Sequence, residues 1–317
     1  MKSPRLRTFY TPLMSMDPEN PGEYTYNPAK PRLIMEYLER KGLIDNFSMV
    51  GDFPPLSRED YYLAHTKEMV DNFFDRGKTS RILGVKWTPE YARATTYEGA
   101  SLYQAIRYAV QNPEEVCFSP SGAFHHVNPT RGALFCPFSG QVIASIKVYQ
   151  EFGLCGAYID LDGHYGNSID NSRDFVTDID KAISPVCGNI NIMAYHQKYM
   201  EELKSNLAVL REEIIGNRVN YVVFGHGADS HEWDELASQL STEEWIECSR
   251  LVYTMIRGTE AVTGKQIPLI LFLLGGYRKD DYISVLSLHT ADLVTCLNIL
   301  CGREIDYIPE VTERKTI

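Results

Sequence analysis

The chain has 317 residues, of which 44% are hydrophobic and 23% are charged, so it can bury a large core and is not a disordered protein. Its formal net charge is −11 and it has no cluster of Lys and Arg, which argues against a nucleic-acid partner. No apolar run approaches the roughly 18 residues of a membrane span, and the seven scattered cysteines are typical of buried free thiols, so we expect a cytoplasmic protein without membrane contact.

Helix and strand signals alternate along the chain. Amphipathic stretches predict helices over 31–41, 58–76, 97–111, 196–215 and 242–264. Apolar runs predict buried strands over 116–120, 154–160, 219–227 and 267–275. This alternation is typical of a mostly parallel sheet between helical layers, and the absence of a linker predicts one α/β domain over residues 1–317. The Pro- and Gly-rich stretch 11–31 is predicted to be a long surface loop.

Chemically unusual residues follow the predicted strands, and in an open α/β sheet ligands bind beyond the carboxyl ends of the strands. Asp162 and His164 are two residues apart, so in an extended segment both side chains point to one face. Asp229, after the next strand, would complete a three-ligand set with an open coordination position, as a catalytic metal requires. These ligands suit zinc and would also accept ferrous iron. The Asp-x-Asp-x-His fragment alone is about as typical of a solvated turn.

Two adjacent histidines, His125 and His126, follow the first of these strands. A chain turn there would bring both to one pocket, where one would act as a base towards water at the metal, although adjacent loop histidines are often merely exposed. Tyr277 follows two glycines after the last strand. It would either donate a hydrogen bond to an oxyanion or pack as an aromatic side chain after a tight turn.

In this order the segments resemble the zinc-dependent histone deacetylase and acetylpolyamine amidohydrolase superfamily, which has an arginase-type three-layer α/β fold. The resemblance spans most of the chain and includes 27–32, Ala64-His65-Thr66, Leu134-Phe135-Cys136, 159–164, 227–230 with Asp234, and Gly275-Gly276-Tyr277. It implies a metal-dependent deacetylase that hydrolyses an N-acyl amine. The substrate would be an acylated lysine side chain or a small acylated amine.

The resemblance also implies a role for each residue. The metal ligands would be Asp162, His164 and Asp229, the histidine pair His125 and His126, and the oxyanion donor Tyr277. Asp160 would orient His125, and its backbone would help to hold a structural potassium ion. The substrate tunnel would be lined by Phe135, Leu236, Gly275 and Gly276, and Arg32 would lie near an internal acetate cavity.

Several positions depart from the family pattern. Asn167 stands where class I members have Asp, which makes the chain class II-like, and Tyr165 replaces a histidine. The loop that carries the second tunnel aromatic is not recognisable between residues 168 and 195. Leu236 stands where one acetylpolyamine-specific branch has a carboxylate, which favours acyl-lysine as the substrate. The alternatives are an acetylpolyamine amidohydrolase, an arginase-like manganese hydrolase and a non-catalytic acyl-lysine binding module.

Overall fold

The computed structural model describes residues 2–17, 25–76 and 84–314. Within these ranges seven strands form one sheet: β1 (Leu6–Phe9), β2 (Phe47–Val50), β3 (Val116–Ser119), β4 (Gly156–Leu161), β5 (Asn189–Asn191), β6 (Tyr221–His226) and β7 (Leu269–Leu273). The strand order is β2-β1-β3-β7-β6-β4-β5, and every pair is parallel. The predicted mostly parallel sheet is therefore confirmed.

Ten α-helices occur in the same described ranges. They are α1 (Lys30–Arg40), α2 (Arg58–Tyr61), α3 (Lys67–Arg76), α4 (Pro89–Gln111), α5 (Gly140–Phe152), α6 (Ser168–Ser172), α7 (Ile179–Ala182), α8 (His196–Ile215), α9 (Thr242–Thr263) and α10 (Tyr282–Leu300). Helices α1, α8, α9 and α10 supply residues to the core on one face of the sheet, while α4 and α5 supply the other.

Alternation of side chains along each strand divides the core between the two faces of the sheet. In β4, Ile159 and Leu161 belong to the cluster packed against α8, α9 and α10, while Tyr158 belongs to the cluster packed against α4 and α5. All three residues are completely buried. Such burial contributes roughly 1.5–3 kcal/mol to stability for a large apolar side chain. Because side chains are buried on both faces of the sheet, the strands are apolar throughout.

Some predicted elements differ in the structure. The helix predicted over 58–76 is interrupted, with α2 ending at Tyr61 and α3 beginning at Lys67. Helix α4 begins at Pro89 rather than at residue 97, because Thr88 caps it by accepting a hydrogen bond from the N–H of Tyr91. The stretch predicted as a loop over 11–31 contains two short 3-10 turns and the start of α1, and its residues 18–24 lie outside the described residues.

Helix α10 is absent from the predicted helices, and it departs from the expectation that no apolar stretch approaches the length of a membrane span. By length and composition it is long and apolar enough to cross a membrane, and 78% of the qualifying window is buried inside the protein. It packs against α9 and α1, as the core helix of a layered α/β fold does.

The topology brings four strand ends together. Strands β3, β7, β6 and β4 are neighbours in the sheet, and because all are parallel, the segments that follow them lie at the same edge. Beyond this edge, the connection from β5 to α8 is only residues 192–195. The predicted site residues therefore lie together at the carboxyl ends of these strands. The short connection of residues 192–195 lies at the same edge of the sheet.

Candidate metal-dependent active site

Three predicted ligands meet beyond strands β4 and β6. The Nδ1 atom of His164 lies 3.0 Å from Oδ1 of Asp162 and 2.9 Å from Oδ2 of Asp229. One ligand atom from each of the three residues lies within 4.8 Å of the others. Both carboxylates are buried, while His164 has one-third of its side chain exposed, so the cluster is reached from the side of His164.

The chemistry of this cluster fits a divalent cation. Asp229 is fully buried, and apart from the 2.9 Å contact of its Oδ2 with Nδ1 of His164, its carboxylate oxygens have no hydrogen-bond partner in the described structure. A buried carboxylate is costly unless positive charge compensates it. Contact with the carboxylates of Asp162 and Asp229 raises the pKa of His164 to about 11, so this position stabilises positive charge. Two carboxylates and one imidazole match zinc and ferrous iron in ligand type.

Glycines leave the space that the two carboxylates occupy. A Cβ atom on Gly275 would lie 2.4 Å from Cγ of Asp229 and 2.6 Å from Oδ2 of Asp162. The N–H of Gly275 instead donates a hydrogen bond of 2.7 Å to Oδ2 of Asp162. The next residue, Gly276, has φ of +146°, a conformation that disfavours other residues, and its own Cβ would meet Val285 at 2.5 Å. The loop after β7 thus holds Asp162 and needs glycine to do so.

The histidine pair lies beside the cluster in the arrangement predicted from the sequence. The rings of His125 and His126 are 4.0 Å apart between centroids, and His126 is 6.0 Å from the ring of His164. Nδ1 of His125 is hydrogen-bonded to Asp160 at 2.9 Å. Burial alone would lower the pKa of His125, but the charges of Asp160 and Asp162 raise it to about 9. His125 is thus held as a positively charged or proton-sharing partner of Asp160.

His126 has the opposite electrostatic environment. Burial and the charge of His125 lower the pKa of His126 to about 3, with nearby Asn167 acting in the other direction. Oδ1 of Asn167 is buried and accepts no hydrogen bond from the described residues, so it is available to a protonated imidazole. His126 is half-buried and neutral, and it can therefore accept a proton.

Tyr277 lies beside the ligand cluster. Its ring centroid is 6.1 Å from that of His164 and 5.7 Å from that of Phe135, and it lines the same cavity as His125. Burial and the charges of Asp162 and Asp229 raise the pKa of Tyr277 well above its ordinary value, so the phenol keeps its proton. The structure therefore places a hydrogen-bond donor next to the ligand cluster.

The rim has an aromatic wall. Phe135 forms it, next to Leu134, while Leu236 has 54% of its surface exposed and donates its N–H to the carboxylate of Asp234. Residues 168–195, which the structure describes in full, contain two exposed aromatic side chains, Phe175 and Tyr195. That stretch forms α6, α7, β5 and the short connection to α8.

One predicted site residue is wrong. Arg32 does not lie near an internal cavity, because its guanidinium is on the surface and pairs with Glu36 at 2.8 Å and with Asp17. Lys30, at the start of the same helix, points inward instead and donates a hydrogen bond of 2.5 Å to the carbonyl of Leu274. Burial lowers the pKa of Lys30 to about 8, although the carboxylates of Asp229 and Asp162 oppose this effect.

Two polar residues to which the sequence assigned no role lie close to Tyr277. Asn27 and Glu98 line the cavity that contains Lys30 and Tyr277. The available signal for Glu98 was its place on the buried stripe of α4, where Tyr91, Thr95 and Leu102 precede and follow it at helical spacing. A carboxyl group on such a stripe is unusual and indicates a functional position.

Comparison with known proteins agrees with this geometry. Residues 24–178 match the family model of the histone deacetylase domain. No curated protein sequence matches the chain. Among solved structures the chain is similar to the HD domain of HDA15, with a TM-score of 0.69 and 15% identity over 97% of this chain and 92% of that chain.

Two further structures are similar over most of the chain. An HDAC homologue in complex with SAHA has a TM-score of 0.68 and 18% identity over 95% of this chain and 85% of that chain. An HDAC homologue from Aquifex aeolicus has a TM-score of 0.66 and 18% identity over the same shares of the two chains. These similarities confirm the predicted three-layer α/β fold of the deacetylase type.

Proposed function

Since the chain belongs, through residues 24–178, to the histone deacetylase superfamily, we propose that it is a metal-dependent deacetylase that removes an acetyl or other short acyl group from acyl-lysine. The observation that carries this proposal is the meeting of buried ligands, a neutral histidine and a protonated phenol at one sheet edge. These are the ligand, base and oxyanion donor that hydrolysis of an amide requires.

Asp162, His164 and Asp229 would hold the metal, and we propose zinc. When bound, the ion would polarise the amide carbonyl and acidify a water molecule. The buried carboxylate of Asp229 and the open side at His164 support a site that keeps a position for substrate. A structural potassium ion held in part by the backbone of Asp160 belongs to the same proposal.

The two histidines would have different roles in proton transfer. His126 is neutral and half-buried, so it would accept the proton of the attacking water and return it to the leaving amine. His125, which shares a hydrogen bond with Asp160, would provide positive charge next to it. The Oδ1 atom of Asn167 would accept a hydrogen bond from His126 once that imidazole carries the proton.

Tyr277 would donate its phenolic hydrogen to the oxygen on which negative charge develops. The shift in its pKa keeps the hydroxyl protonated, and the loop that carries it is fixed to the metal ligands through Gly275. A single donor of this kind contributes roughly 3 kcal/mol to transition-state stabilisation.

Acyl-lysine is the proposed substrate because the rim supports a singly charged or neutral amine. Leu236 is exposed and apolar, and by the family resemblance it stands where a carboxylate would attract a second ammonium group. The neighbouring Glu235 is engaged, since its Oε1 accepts a hydrogen bond of 3.1 Å from the N–H of Lys279.

The test is release of acetate from a fluorogenic acetyl-lysine peptide by zinc-loaded protein. We expect activity that a chelator abolishes and added zinc restores. His126→Ala should retain zinc but lose activity by about a hundredfold or more. Binding of the peptide without any turnover would favour the non-catalytic binding module. Turnover of guanidino compounds by manganese-loaded protein would favour the arginase-like alternative.

A further inference from the structure

Glu98 lies between two adjoining cavities behind the candidate active site. The inner chamber is lined by Lys30, Gly122, His125, Leu274, Gly275 and Tyr277, and the aromatic chamber by Leu56, Tyr61, Tyr91, Phe124 and Phe138. Both chambers are also lined by Asn27, Glu98, Ala123 and Phe135. Each holds about 20 Å³, which is room for one water-sized group.

The inner chamber is on the acyl side of the site. It extends from the rim residues Leu134 and Phe135 to the buried Lys30 and shares His125, Gly275 and Tyr277 with the catalytic centre, while the open side of the cluster is at His164. The amine part of a substrate is attached to a larger molecule, so it must leave through the open side. The acyl group of an amide whose carbonyl contacts Tyr277 would therefore point into the inner chamber.

The two chambers differ in chemistry. Lys30 and Glu98 supply an ammonium and a carboxyl group to the inner chamber, and Nζ of Lys30 is hydrogen-bonded to the carbonyl of Leu274. An apolar chain pressed against these groups would separate them from their polar partners, which is unfavourable. The aromatic chamber is lined mainly by rings, and it would receive an apolar chain favourably if the chain could reach it.

We propose that Glu98 is a specificity-determining residue that limits the acyl group to about the size of acetyl, because its side chain closes the passage from the inner chamber to the aromatic chamber. This inference rests on the proposed deacetylase function and deepens it. Glu98 lies on the rigid helix α4, anchored by the buried Tyr91, Thr95 and Leu102 on either side of it. A shorter side chain at this position would therefore join the two chambers without moving their walls.

The experiment compares kcat/KM for acetyl-, butyryl- and hexanoyl-lysine peptides in wild-type protein and in Glu98→Ala. We expect the wild type to prefer acetyl, and Glu98→Ala to raise the butyryl-to-acetyl ratio about tenfold or more. Glu98→Gln keeps the size of the side chain and should keep the preference for acetyl. Arg93→Ala changes an exposed residue of the same helix and is the matched control.

Thermal denaturation and zinc content identify variants that fold. If Glu98→Ala is unstable, Glu98→Ser offers the same test while keeping a hydroxyl group towards Lys30. An unchanged ratio in a folded small-residue variant overturns the inference and leaves the deacetylase function intact. An equal shift in Glu98→Gln overturns it too, since size would then not be the cause. Absence of turnover with every acyl peptide overturns the proposed function, and the role of Glu98 with it.

Discussion

The carboxylate of Asp234 accepts a hydrogen bond of 2.7 Å from the backbone N–H of Tyr277, and its other oxygen accepts one of 3.0 Å from the N–H of Leu236. Asp234 follows β6 and Tyr277 follows β7, so this buried carboxylate joins the loop of a metal ligand to the loop of the phenol. Asp234 therefore positions Tyr277, the proposed oxyanion donor, and is not among the three clustered ligand residues.

This relationship predicts different outcomes for two nearby aspartates. Asp229→Ala removes a metal ligand, so zinc binding and activity should both be lost. Asp234→Asn should retain zinc and lose activity by roughly 10- to 100-fold, the range typical of residues that orient functional groups. Elemental analysis of the purified variants measures zinc, and kcat with the acetyl-lysine peptide measures activity. Full zinc occupancy in Asp229→Ala would contradict the ligand assignment.

Tyr277→Phe separates catalysis from packing. The substitution keeps the ring against Phe135 and removes only the hydroxyl, so kcat should fall on the order of a hundredfold or more with little change in Tm. Steady-state kinetics together with thermal denaturation checks this. If kcat is unchanged, the phenol is a packing residue and the oxyanion is stabilised by another group.

Two glycine substitutions form a matched pair. The added Cβ in Gly275→Ala would lie 2.4 Å from Cγ of Asp229, so we expect weaker zinc binding and loss of most activity. Gly258→Ala lies on the exposed face of α9, where an added Cβ meets nothing within 4 Å. It should stabilise the fold by up to about 1 kcal/mol through helix propensity and leave activity unchanged. Equal zinc affinity in the two variants would show that the loop after β7 tolerates displacement.

The residues at the sheet edge could be predicted because chemistry and topology coincide there. Asp162, His164 and Asp229 each follow an apolar strand, and parallel pairing of β4 with β6 brings these strand ends together. Arg32 could not be placed in the same way. Lys30 and Arg32 are two residues apart on α1, which separates their directions by about 200°, so Arg32 faces outward when Lys30 points inward.

Several elements that were not predicted have identifiable physical reasons for it. Strands β1, β2 and β5 contain only three or four residues, so no run of alternating or continuous apolar residues marks them. Helix α10 is buried on nearly all sides and therefore lacks the polar face that reveals an amphipathic helix. The buried stripe of α4 marks Glu98 as unusual, but only the tertiary packing shows that Glu98 lines the same cavity as Gly122 and Ala123, which follow β3.

The rim predicts a preference between two substrate classes. With Leu236 where a carboxylate would attract a second ammonium, kcat/KM for an acetyl-lysine peptide should exceed that for N8-acetylspermidine. Leu236→Glu should shift this ratio towards the polyamine by up to about tenfold. Parallel kinetics with both substrates measures it. A tenfold wild-type preference for acetylspermidine would reverse the substrate assignment and leave the amidohydrolase proposal in place.

The wall formed by Phe135 is held in an unfavourable backbone conformation. Leu134 and Phe135 both adopt positive φ angles, +44° and +66°, at which a side chain costs roughly 1–2 kcal/mol per residue. Glycine would remove this cost, but only by giving up the aromatic ring that contacts Tyr277 or the leucine beside it. Under selection for greater thermal stability, we therefore expect Leu134 and Phe135 to be replaced before other rim residues. The replacement would relieve backbone strain and reduce discrimination among substrates.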